Sequence, residues 1–166
     1  MSFQNQVNIQ PAPAVPGDFA SLNPTATFPA GEGALVAAAG GCTVAAFGWV
    51  QADGVSVANM PPSGSTAAPD GFVHRDLTAQ ISDFTASESM VIPQGFPVTL
   101  FTAGDFWVQA TTQATPGQAV FASLTDGTIK TAATGSTVNG AVATGFFVAS
   151  AGAVGELVRI STWMHA

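Results

Sequence analysis

From residue 34 onward the chain alternates short apolar runs with Gly, Pro, Asp and Ser breaks. The runs are rich in Val, Ile, Phe and Leu, which suit a pleated, half-buried surface, and the breaks carry residues that limit φ or permit φ > 0. This pattern predicts strands near 34–38, 42–52, 71–75, 88–92, 96–102 and 105–109, with others near 118–123, 128–132, 143–150 and 156–162. Residues 89–108, Ser-Met-Val-Ile-Pro-Gln-Gly-Phe-Pro-Val-Thr-Leu-Phe-Thr-Ala-Gly-Asp-Phe-Trp-Val, show it most clearly: two apolar strands joined by Pro-Gly punctuation, read as scaffold. Asp126-Gly127 between two β-prone runs is a hairpin signal. Residues 58–70 and 111–117 read as loops, the first with nothing to bury. The segment Leu77–Phe84 fits a short helix, with Leu77, Ile81 and Phe84 on one face, or a strand. No sustained helical period occurs, so the expected fold is all-β: a small β-barrel or jelly-roll-like sandwich over residues 34–166. Phe47, Val98, Leu100, Phe121, Phe147 and Val158, at the centres of the strongest runs, are expected inside it.

Residues 1–33 form a separate region, with prolines at 11, 13, 16, 24 and 29 too closely spaced for a helix. They predict an extended N-terminal arm carrying Phe3, Val7, Ile9, Val15, Phe19, Leu22 and Phe28 as spaced anchors. A disordered tail is usually charged and poor in aromatics, whereas this arm has three Phe and only Asp18 and Glu32 as charges. It is therefore read as ordered on a partner, with the β-domain folding without it.

Composition changes the picture from fold to role. Only 8% of residues are charged, against roughly 25% in ordinary soluble domains, while 47% are hydrophobic. A surface this poor in charge is expected to be covered by neighbours, which makes the chain a subunit. The net charge of −7 comes from scattered carboxylates against Arg75, Lys130 and Arg159, and three dispersed cations provide no footprint for nucleic acid. Neither a secretory signal pattern nor a membrane-spanning apolar stretch is visible, so synthesis in the cytoplasm is expected.

Candidate chemistry is sparse. Cys42 opens an apolar run and reads as a buried small hydrophobe. His74 and His165 are the two histidines and match no metal-ligand spacing, so no metal and no cofactor are expected. His74-Arg75-Asp76 imitates a kinase triplet without its companions, and no serine sits in Gly-x-Ser-x-Gly, so an enzyme is disfavoured. Arg75 reads equally as half of a structural ion pair or as an interface anchor. Alternation puts Phe106 and Trp107 on opposite faces of a strand, so that one can be core and the other contact.

Three stretches, Pro11-Ala-Pro-Ala-Val-Pro-Gly-Asp-Phe-Ala-Ser21, Gly71-Phe-Val-His-Arg75 and Met90–Val108, together resemble the capsid cement or decoration proteins of tailed bacteriophages. The resemblance implies a small β-rich protein on the exterior of the virion head that clamps adjacent copies of the major capsid protein and neighbouring copies of itself, as a dimer or trimer. On that reading Phe3, Val7, Ile9, Val15, Phe19, Phe28, Arg75 and Trp107 are the candidate interface residues. A head-fibre base or tail-associated module shares the all-β, low-charge character, and a carbohydrate-binding sandwich using Trp49, Trp107 or Trp163 is a third reading.

Overall fold

A computed structural model describes residues 13–31, 33–76 and 90–163, and among them the chain is entirely β, with no helix. The segment Leu77–Phe84 lies outside the described residues. Two sheets stack into a sandwich, and no closed barrel is formed among the described residues.

The first sheet is built from β1 (Ala26–Thr27), β2 (Val36–Ala37), β4 (Phe47–Val50), β5 (Ser56–Ala58), β6 (Gly71–Val73) and β8 (Leu100–Ala103), in the order β1-β8-β6-β4-β5-β2. Its pairs are antiparallel except β2 with β5, which run parallel. A two-stranded ladder, β3 (Cys42–Thr43) with β7 (Val91–Ile92), covers its outer face. The second sheet contains β9 (Asp105–Gln109), β10 (Ala119–Ser123), β11 (Ile129–Ala132), β12 (Ala141–Val148) and β13 (Leu157–Ser161), in the order β11-β10-β12-β13-β9, all antiparallel.

Strand alternation in the first sheet feeds two cores. Phe47, Trp49 and Phe72 face the second sheet and meet Phe106, Val120, Phe146, Val158 and Ile160. Leu100, Val73 and Val57 face the other way, toward Leu35, Cys42, Val44, Ile92 and Val98. Between Phe47 and Trp49 sits Gly48, where a Cβ would lie 2.9 Å from Leu100 Cδ2 and 3.0 Å from Val57 Cγ1. A side chain there would push the second core off the sheet.

The Asp126-Gly127 hairpin joins β10 to β11 as the sequence indicates, with Gly127 at φ 67°. Asp126 Oδ1 accepts the Thr128 N–H at 3.1 Å and the Thr128 hydroxyl at 2.7 Å, an Asx-type turn. The turn also reaches across the sandwich: the Phe47 N–H donates to Gly127 O at 2.9 Å, so the tip is fastened to β4.

Of the residues expected inside, Phe47, Val98, Leu100, Phe121 and Val158 are buried. Phe147 is only half-buried, and its neighbour Phe146 takes the core position. Alternation along β12 sets this: Val142, Phe146 and Val148 lie on the core side, which puts Phe147 on the other face. The register shifts by two residues between the Phe121–Ala143 and Ala119–Phe147 pairs, where Thr144 Oγ1 donates to Val120 O and accepts the Phe146 N–H, and a shift of two leaves that parity unchanged. Residues 59–70 also do more than loop over the surface. Ala67 O accepts the Trp49 indole N–H, Asp70 Oδ2 accepts the Val50 N–H, and Asn59 bonds the N–H and C=O of Thr43 and the C=O of Phe47. Strands β1 and β5, absent from the expected set, complete the first sheet.

Candidate assembly surface

The described part of the proline-rich arm is laid along this chain's own sheet edges. Gly17 N–H donates to Trp107 O at 2.7 Å, Trp107 N–H to Asp18 O at 2.9 Å, and Ala20 N–H to Asp105 O at 2.8 Å, so residues 17–20 line the edge of β9. Farther on, β1 pairs with β8, and Phe28 N–H donates to Leu100 O at 2.8 Å. One short segment thus borders both sheets. Prolines at 16, 24 and 29 flank these bonds, an arrangement that suits an edge, where a missing N–H costs nothing.

Side chains fix the arm in register. Arg75 Nη1 pairs with Asp18 Oδ1 at 3.0 Å, and Arg75 N–H donates to Gly17 O. Phe19 stacks on His74 with ring centroids 4.1 Å apart and meets Phe101 and Phe106 at 5.4 Å each. Burial lowers the His74 pKa, opposed by Asp18 and Asp76 and aided by Arg75, so the ring favours its neutral form. Beside the arm, the Asp105 carboxylate accepts from Ser21 Oγ at 2.5 Å and Asn23 Nδ2 at 2.6 Å, both at Oδ2. The Trp163 indole N–H donates to Pro24 O at 3.1 Å.

This fastened backbone presents apolar side chains outward. Leu22 is fully exposed, Trp163 is 50% exposed, and Phe19 and Val15 are 43% and 39% exposed. Burying such side chains against a partner is worth about 1.5–3 kcal/mol each when complete.

The sequence-derived candidates fall out as follows. Phe3, Val7 and Ile9 lie outside the described residues. Val15 and Phe19 are at the surface, whereas Phe28 is half-buried against the second core. Arg75 forms the structural ion pair, here with Asp18. Phe106 is fully buried while Trp107 faces outward under the Arg159 guanidinium, 5.9 Å from the ring centroid. The arm was expected to reach a neighbour, but from 17 to 28 its backbone partners are in this chain. The sequence names Leu22 as an arm anchor but not as an interface residue, and marks Asp105 only as the first residue of the strand 105–109; the lone Leu in a proline-rich run is the available signal.

Chemistry is muted elsewhere. Cys42 is buried, and burial pushes its thiol up to about 12, a hydrogen bond with Asn59 opposing, so it remains a protonated core group. Among the described residues no three His, Cys, Asp or Glu side chains converge as metal ligands would.

Comparison with known proteins agrees with a building-block reading. A family model described as XM1 gp53 minor capsid protein matches residues 3–162. A chain in the solved capsid of Myoviridae phage XM1 shares the fold at a TM-score of 0.60 and 18% identity, over 98% of this chain and 98% of that one. No curated protein matches.

Proposed function

Because this chain belongs to the XM1 gp53 minor capsid protein family, whose members are phage capsid structural proteins, we propose that it acts as a cement protein on the outer surface of the head. In this role it clamps adjacent major capsid proteins, and neighbouring copies of itself, after synthesis in the host cytoplasm. The observation that carries the reading is the outward row of Leu22, Phe19, Val15 and Trp163 on a backbone already bonded in place. Apolar groups held rigidly in water lose little conformational entropy when a partner covers them. Residues Phe3, Val7 and Ile9 extend the same arm and are the proposed anchors on a neighbour. A chain with only 8% charged residues can approach another protein without stripping water from many ions. Each copy need contribute only modest area, since repetition over a lattice multiplies it.

The test adds purified protein to capsids that lack it and measures occupancy and the temperature at which heads release DNA. Wild-type protein is expected to bind and to raise that temperature. Leu22→Asp is expected to lower affinity about tenfold or more, as hot-spot losses do. Equal binding by the variant would overturn the assignment of this surface. Binding without any gain in heat resistance would overturn the cement role.

A further inference from the structure

A cleft of about 320 Å³ opens beside the arm, lined in part by Ser21, Asn23, Asp105, Arg159, Ser161 and Trp163. Asp105 is 9% exposed, and its two oxygens are treated differently. Oδ2 holds both donors, Ser21 and Asn23, whereas Oδ1 is shielded from solvent and has no hydrogen-bond partner in the protein. Buried carboxylate oxygens are ordinarily satisfied, because an unpaired one carries its full desolvation cost. The cleft's own residues do not answer it. Ser161 Oγ accepts the Trp163 N–H at 3.0 Å, and Arg159 lies over Trp107; among the described residues the ion pair found is Asp18 with Arg75.

We propose that this cleft receives a guanidinium group, an arginine side chain presented by a partner polypeptide. A metal ion fits poorly: there is one carboxylate, and Ser21 and Asn23 turn donors toward it, whereas a hard cation wants several oxygen acceptors. A neutral donor such as water answers the hydrogen bond but leaves the charge uncompensated. A guanidinium answers both once the groups that seal Oδ1 move aside, and its planar fork can lie against the half-exposed Trp163 indole, whose edge is pinned to Pro24 O. The chain's net charge of −7 favours the approach of a basic residue. Arg159 is on an exposed position, where solvent screens its repulsion. The proposal rests on the capsid reading only for which chain supplies the arginine.

The full chain, titrated with N-acetyl-arginine amide, is expected to show saturable shifts of the Trp163 indole NMR signal with Kd on the order of 1 mM. N-acetyl-citrulline amide, the same shape without the charge, is expected to bind at least about tenfold more weakly. Asp105→Asn should abolish the shifts and Trp163→Leu should weaken binding severalfold when read by calorimetry, while Arg159→Gln leaves it intact or tighter. Absence of saturation, equal binding of citrulline or of N-acetyl-lysine amide, or full binding by Asp105→Asn each overturns the proposal. Loss of binding in Arg159→Gln also overturns it, since Arg159 would then be part of the receptor. On capsids, Asp105→Asn is expected to be retained less than wild type. Full retention together with intact arginine binding by the wild type would remove the capsid as the arginine's source while leaving the site, and the cement reading, standing.

Discussion

The two sheets solve the same burial problem by different means. In the second sheet, strands of four to eight residues lie next to one another largely through short connections, and backbone ladders do most of the joining. In the first, strands of two to four residues arrive from distant parts of the chain, and side chains close the gaps: Asn59 bridges β3 and β4, Asp70 caps Val50, and Ala67 O holds Trp49. A sheet made of short, non-local pieces depends on individual polar contacts. A sheet made of hairpins depends on its apolar pattern. The largest expected effects therefore lie where the two meet, and smaller ones within each.

Phe72 is fully buried and touches Phe47, Phe106 and Phe146, rings from both sheets. Phe72→Ala is expected to cost about 3–5 kcal/mol and to lower the midpoint of urea unfolding for probes in both sheets together. If the second sheet kept its midpoint, the two would be independent units and the comparison would be one of domains. Gly127→Ala places a Cβ 2.2 Å from Phe47 O at a positive φ, and is expected to cost about 2–3 kcal/mol by prying the hairpin tip from β4. Hydrogen exchange should quicken at Phe47 while the β10–β12 ladder stays protected.

Asn59→Ala tests the first sheet alone. It removes bonds to Thr43 N, Thr43 O and Phe47 O and is expected to cost about 2 kcal/mol. Cys42 supplies the readout: sealed and with its thiol held at about 12, it should resist a thiol reagent in the wild type and react measurably in the variant. An unreactive Cys42 would show that β3 does not depend on that one side chain.

The smallest expected effect is on the arm. Burial lowers the His74 pKa in the folded chain, so its contribution to stability is complete above the ordinary histidine value and is lost as pH falls through the lowered one. Between about pH 7 and about pH 5, exchange at Gly17 and Trp107, corrected for the intrinsic rate, is expected to accelerate, because a charge on the half-buried His74 ring, stacked on Phe19 of the arm, incurs its desolvation cost. His74→Phe should remove this dependence, and exchange that slows on acidification would contradict the assignment.

Legibility in the sequence follows the same division. Each strand of the second sheet is visible as a β-prone run bounded by turn residues, and Asp126-Gly127 marks its tightest turn. The exception, Phe147 for Phe146, is a choice between two adjacent Phe that a β-prone run leaves open; the packing of Val142 and Val148 against the core puts the even positions inside. In the first sheet β1 and β5 escaped notice because strands of two or three residues have no period of their own; their partners define them. The surface was half legible. Phe19 and Val15 could be picked out by composition, but the Asp105 carboxylate is buried by Ser21 and Asn23, 84 and 82 residues away in sequence, and no local motif encodes that meeting.

The contact between Trp163 and Pro24 spans 139 residues, and it sets a schedule. During synthesis the arm emerges early, yet β8 and β9, the edges that hold it, are made long afterwards, and the indole that pins Pro24 later still. Residues 17–28 are therefore made before the strands that secure them. A ribosome-bound fragment stopped before residue 100 carries the arm with none of those partners, so a nascent-chain protease assay should find Phe19 and Leu22 open to cleavage until translation has passed residue 163.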